Sequence, residues 1–125
     1  MKNQFTPAWL AKLAAVKEID IETRAETKPP HRRPIWIVVV GNEAYIRSYR
    51  GADGVWYKQI RKNPDAVMIV ENKRVPIHAS MVRAPETIAQ VSAEYLRKYK
   101  KSRSAQAMVL DAVLSTTLRV TPRAK

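Results

Sequence analysis

The sequence predicts an α+β domain dominated by β-structure: six mainly antiparallel strands in a closed or partly open barrel, with helices at the periphery. Two observations carry this. Short strand-like segments follow one another, with tight-turn signals at Gly41-Asn42 and Asn72-Lys73. Only one long helical pattern interrupts them, from Pro85 to Lys101. Antiparallel strands joined by short turns in so small a chain favour a barrel.

Each element has its own signal. Thr6-Pro7 has the form of an N-cap followed by proline at the first helical position. Trp9, Leu10, Leu13 and Ala14 then share one helical face. From Lys17 to Arg24 polar and apolar residues alternate strictly, with Ile19, Ile21 and Thr23 on one side, as in a half-buried strand. The stretch E-T-K-P-P-H-R-R-P reads as a loop, because Pro29 and Pro30 oppose regular pairing. Ile35 to Val40 is an apolar run, read as a buried strand with Trp36 in the core. The Gly41-Asn42 turn returns it antiparallel as Ala44 to Tyr49. A short basic helix covers Val55 to Lys62, and strands follow at Ala66–Val70 and Arg74–Val82. Pro76 places the latter at an edge or a bulge. After the Pro85 helix, Thr116 to Thr121 alternates again and supplies the last strand.

Composition narrows the chemistry. A chain of 125 residues reads as a single domain, 1–125, large enough to bury a core. It has no cysteine, which excludes disulfides and thiolate chemistry. His31 and His78 stand apart, and a metal site needs three or four convergent ligands, so no metal is expected. Its apolar runs are too short to span a membrane, and its first residues lack a signal core, so a soluble cytoplasmic protein is expected. The net charge is +12, which draws anions. The excess is clustered. Arg32 to Lys62 holds seven basic residues against Glu43 and Asp53, and Arg97 to Arg103 holds five with no acid.

The segment R-S-Y-R-G-A-D-G-V-W-Y-K-Q-I-R-K-N-P, from Arg47 to Pro64, concentrates the functional signal. A strand runs into a glycine-punctuated loop and then a helix, whose first N–H groups have no partner within the helix. Such a terminus favours an anion, and Arg47, Arg50 and Arg61 surround it. The expected ligand carries a phosphate. Strand alternation puts Tyr45, Arg47 and Tyr49 on one face and Ala44, Ile46 and Ser48 on the other. The second set is smaller and more apolar and reads as the core side, so Arg47 is expected to point outward or into a cleft.

The run from Arg33 to Val67, beginning R-P-I-W-I-V-V-V-G-N and ending R-K-N-P-D-A-V, resembles the core of a small bacterial family of unknown function. That family belongs to the split β-barrel, pyridoxamine-phosphate-oxidase-like superfamily. The run is also distantly similar to the deazaflavin-dependent nitroreductases. Arg33, Pro34, Gly51, Gly54, Trp56, Tyr57, Asn63 and Pro64 hold the matching places. The C-terminal T-T-L-R-V-T-P-R is similar to the end of the unknown-function family. The nitroreductases carry a Gly-Arg-Lys-Thr-Gly stretch before the Arg-Pro, and this chain has no glycine there. The resemblance implies a six-stranded split barrel that binds a flavin or deazaflavin, FMN among them, and an oxidoreductase activity. It also implies a homodimer, as in the FMN type, or a monomer, as in the deazaflavin type.

On that reading Arg33, Arg47 and Arg50 meet the phosphate, the N–H groups near Gly54 add donors, and Trp56 or Tyr57 lines the ring pocket. Ser48, Gly51 and Arg61 complete the set of cofactor-binding residues. The partner is then a small phosphorylated ligand or cofactor, with no membrane involved. Two other readings compete. In one, the same arginines and the Arg97–Arg103 run contact nucleic-acid phosphates, with Tyr45 and Tyr49 as stacking platforms. In the other, the barrel is a scaffold that binds no cofactor.

Overall fold

The structure, a computed structural model, describes residues 4–25 and 29–123. Glu26, Thr27 and Lys28, the start of the expected proline loop, lie outside the described residues. Helix α1 (Pro7–Ala15) begins where Thr6 Oγ1 accepts a hydrogen bond from Trp9 N at 3.2 Å. The strands are β1 (Ile19–Thr23), β2 (His31–Ile35), β3 (Ile37–Val40), β4 (Glu43–Ile46), β5 (Asp65–Val70), β6 (Lys73–Met81) and β7 (Leu118–Pro122). Helix α2 (Val55–Lys62) follows β4, and α3 (Pro85–Lys98) and the short α4 (Asp111–Leu114) precede β7.

All pairings are antiparallel, in the order β2-β1-β5-β6-β7-β4-β3. The two edge strands, β2 and β3, are consecutive in the chain with only Trp36 between them. The sheet therefore curls until its edges meet at that residue. The barrel is closed there by covalent chain rather than by a hydrogen-bonded ladder, which leaves a wedge where β2 diverges from β4.

The sheet has seven strands rather than six. The extra one is β2, in the stretch expected to be loop. It pairs with β1 from Thr23↔His31 to Ile19↔Ile35. Pro34 is tolerated because β2 is an edge strand. The tight turn after β5 lies one residue earlier than expected, with Glu71 at φ 50° and Asn72 at φ 70°. Both are positive, as a type I′ hairpin requires. The Pro85 helix ends at Lys98, short of Lys101. The 3₁₀ segment Arg103–Val109 and α4 had no signal in the sequence.

There are two apolar cores. Leu13, Ile19, Ile21, Ile37, Ile46, Ile60, Met68 and their neighbours fill the barrel. Val38 and Tyr45, on the opposite faces of β3 and β4, pack against Val91, Tyr95 and Tyr99 of the α3 region and against Met108. Strands β3 and β4 are thus covered on both faces. The polar side of β1 is covered too: Glu22, 9% exposed, accepts from Arg74 Nη2 at 2.6 Å. That hydrogen bond holds its carboxyl below the usual range, against the opposing effect of burial.

Lys98 is half-buried and not part of a solvated helix end. Its Nζ donates to Ile37 O at 2.6 Å and Leu13 O at 3.0 Å, pinning α1 and β3 to α3. Burial pulls its pKa down to about 8, with Glu94 and Arg97 contributing smaller opposed effects. In the unfolded chain the ordinary value of 10.5 applies. Between the two, the unfolded chain holds a proton that the folded one does not, so stability rises as pH goes from about 8 toward 10.5. A neutral amine keeps two N–H groups, enough for both carbonyls. Burial raises the pKa values of Tyr95 and Tyr99, so phenol ionisation in the unfolded chain opposes this gain near pH 10. The urea midpoint is expected to be higher at pH 9.5 than at 7.5, and Lys98→Met should abolish the difference. An unchanged midpoint in the wild type would contradict this account.

Candidate functional site

The wedge beside Trp36 holds a cavity of about 640 Å³. Its walls come from four places: β2 with Trp36, the chain leaving β4 at Arg47–Arg50, the start of α2, and Ser104 and Met108 of the 3₁₀ segment. Local sequence explains the second and third walls. Gly51 turns the chain at φ +67°, and a Cβ there would stand 3.1 Å from Ala112 O. After a 3₁₀ turn (Gly51–Asp53), Gly54 occupies the N-cap of α2 in an extended conformation, with no side-chain cap. Lys58 N makes the first bond of the helix, to Gly54 O. The N–H groups of Val55, Trp56 and Tyr57 find no acceptor among the described residues.

Ser48 sits directly behind this helix start. Its backbone N donates to Thr116 Oγ1 at 2.9 Å. Its hydroxyl is fully buried and has no hydrogen-bond partner among the described residues. Buried hydroxyls are ordinarily paired, which makes an unpaired one on a residue that borders a cavity a candidate donor to a ligand. A Cβ on Gly54 would stand only 2.6 Å from this oxygen, so glycine is what keeps the two in contact.

Of the two expected orientations, outward or into a cleft, Arg47 does not take the outward one. It is 1% exposed, because its face of β4 is roofed by α3 and the 3₁₀ segment. Nε donates to Thr117 Oγ1 at 2.8 Å, Nη1 to Ser92 Oγ and Met108 O, and Nη2 to Ile88 O, each at 2.9 Å. Its guanidinium carbon lies 5.5 Å from the Tyr95 ring centroid. Burial pulls its pKa down. Among the described residues no carboxylate pairs with Arg47, Arg33 or Arg50.

Of the residues expected at a cofactor site, Arg33, Arg47, Ser48, Arg50, Gly54 and Trp56 border the cavity. Gly51, Tyr57 and Arg61 do not. Gly51 is a buried turn residue against α4. Tyr57, 3% exposed, faces the barrel core, and Arg61 covers its ring and donates to its hydroxyl at 3.2 Å. Trp36 was expected in the core. It is instead half-buried at the wedge, its ring stacked on Tyr99 at 3.8 Å and 3°. Glu18, Ser104 and Met108 also border the cavity and were not singled out, and so do His31 and Tyr49, which had been considered only for other roles. The proline at 34 was the available signal for the wedge. Nothing in the sequence pointed to Ser104 or Met108.

The nucleic-acid reading loses a stacking platform. Tyr45 is 4% exposed, enclosed by the second core, with Arg119 over its ring. Tyr49 remains open to solvent.

This curled antiparallel sheet with its peripheral helices has the split β-barrel fold. The chain belongs to the family described as uncharacterized protein conserved in bacteria, DUF2255, which it matches over residues 9–120. Several solved structures share the fold. One is a protein of Listeria innocua assigned provisionally as a pyridoxamine 5'-phosphate oxidase, with TM-score 0.70 and 13% identity over 94% of this chain and 92% of that one. Another is the heme storage protein HutZ of Vibrio cholerae, with TM-score 0.68 and 15% identity over 98% and 92%. A third is an F420-H2 dependent reductase, with TM-score 0.62 and 14% identity over 84% and 93%. No curated protein matches the chain by sequence. No helix among the described residues is long and apolar enough to cross a membrane.

Proposed function

We propose that the wedge binds a phosphate-carrying flavin or deazaflavin, FMN being the simplest candidate, and that the chain acts with it as an oxidoreductase. The observation that carries this reading is the buried, unpartnered Ser48 hydroxyl against the uncapped start of α2. A phosphate oxygen accepts hydrogen bonds from both, and the helix dipole favours its charge. Arg50 and Arg33, which have no carboxylate partner among the described residues, supply countercharge from the rim. Arg47 adds an uncompensated cation behind the wall. Trp36, held flat by Tyr99, and Trp56 offer aromatic walls for a planar ring. The bound cofactor supplies the hydride chemistry. The chain's own task is to hold the phosphate, align the ring and limit water. The F420-H2 dependent reductase with this fold is consistent with such a use.

The test is direct titration. FMN and a deazaflavin mononucleotide should each quench or shift their fluorescence on binding, with affinity tighter than millimolar for at least one. Arg50→Ala should weaken that binding about ten- to a hundredfold, the range of a charge-assisted contact in a partly desolvated cleft. Lys100→Ala, on the solvated chain after α3, should change it less than twofold. Equal modest losses in both variants, with preferential binding of a single-stranded oligonucleotide and a steep fall with salt, would favour nucleic acid instead. Failure of all three probes to bind below millimolar would leave the scaffold reading.

A further inference from the structure

The wedge has a side made of backbone. Arg33, Pro34, Ile35 and Trp36, four residues in a row, border the cavity. A pleated strand turns successive side chains to opposite faces, so four in a row border one space only when that space lies along the strand's edge. Strand β2 has such an edge, since it pairs with β1 alone.

The hydrogen-bonding groups on this edge follow from the register. Pro34 stands opposite Asp20 and has no N–H, so that pair is of the non-hydrogen-bonded kind. The neighbouring pairs, Ile19↔Ile35 and Ile21↔Arg33, then carry the ladder. This agrees with the other side of β1, where Asp20 and Glu22 bound the pairing with β5. Alternation therefore turns the Pro34 carbonyl away from β1, toward the cavity. Two residues on, Trp36 lies in neither ladder. Its carbonyl accepts from Tyr95 Oη at 3.4 Å, while its N–H meets no acceptor among the described residues. The stack on Tyr99 fixes the residue in place. The edge thus presents an acceptor stripped of its own donor, followed by a free donor. A peptide strand is a poor occupant, because Pro34 deletes one rung of any ladder and Pro29-Pro30 interrupts the approach.

We infer that this edge recognises a planar heterocycle carrying an N–H beside a carbonyl, that is, a lactam or imide. The ring N–H donates to Pro34 O, and the ring carbonyl accepts from Trp36 N–H. The inference rests on the flavin or deazaflavin reading and narrows it, since both ring systems carry an imide whereas pyridoxal and porphyrin rings do not.

The test compares FMN with 3-methyl-FMN, in which the imide N–H is replaced by N-methyl and the phosphate is untouched. The same comparison is made with 5-deaza-FMN and its 3-methyl derivative. At least tenfold weaker binding of the methylated member is expected for whichever pair binds. In ¹⁵N spectra, the Trp36 amide should shift with the parent compound and shift less with the methylated one. Equal affinities within a pair would overturn the inference and leave the phosphate-site reading intact. Absence of binding by either parent compound would overturn both.

Discussion

Replacing Arg47 by alanine is expected to lower the unfolding free energy by about 3–5 kcal/mol, the upper part of the range for large-to-small core changes. The side chain is buried and ties four segments together. Its partners are Thr117 at the start of β7, Ser92 and Ile88 on α3, and Met108 on the 3₁₀ segment. Truncation leaves a cavity and strands the buried Met108 carbonyl without its donor, each of which costs separately. Removal of an uncompensated buried cation offsets part of the loss. Arg47→Met, which restores volume without donors, should recover less than half of the deficit. Urea unfolding of both variants measures this. A midpoint unchanged in Arg47→Ala would mean that the residue is a ligand contact and not a structural hub.

Gly54→Ala should abolish cofactor binding at concentrations that saturate the wild type, a loss of at least about a hundredfold in affinity. The backbone at Gly54 is ordinary, φ −62° and ψ 136°, so alanine meets no conformational strain. The obstacle is steric: the new methyl would lie 2.6 Å from Ser48 Oγ and must displace it or the helix start. Either shift moves the donors proposed to hold the phosphate. The companion variant Ser48→Gly with Gly54→Ala removes the clash. It should recover thermal stability without recovering affinity, because the hydroxyl is gone. Isothermal titration with FMN and thermal melts read the two effects separately. Full affinity in Gly54→Ala would place the phosphate elsewhere.

Much of the barrel was visible in the residues because local and tertiary preferences agree. Thr6-Pro7 caps α1, Gly41-Asn42 turns β3 into β4, and Val55–Lys62 is helical with the bounds that its pattern gave. Strand β2 escaped because its sequence shows an edge strand's manners: three prolines in and around it, two adjacent arginines and mostly exposed side chains. Alternation put Arg47 on the face away from the barrel core, where it borders the cavity, but gave no sign of its burial, because that second face is roofed as well. That second roof depends on Met108, which packs there from a 3₁₀ segment with no periodic signature of its own. Gly54 and Arg50 were identifiable from the loop-to-helix pattern, and Arg33 and Trp56 from the family resemblance. The unpaired state of the Ser48 hydroxyl required coordinates.

The strand order has a consequence for how the molecule comes into being. Strands β2, β1, β5 and β6 form one ladder, and β4 with β3 forms another; β7 is the only strand bonded to both. Synthesis from the N-terminus therefore yields two hairpin-built pieces tethered at Trp36 and along the chain from β4 to β5. The strand that zips them together is made after the other six. Ala44 waits for Val120 across most of the chain, a closure of the slow, non-local kind. Thr116 and Thr117, which partner Ser48 and Arg47, arrive with that same strand. The nascent chain thus carries its arginines and glycines long before β7 arrives to complete the framework around the pocket.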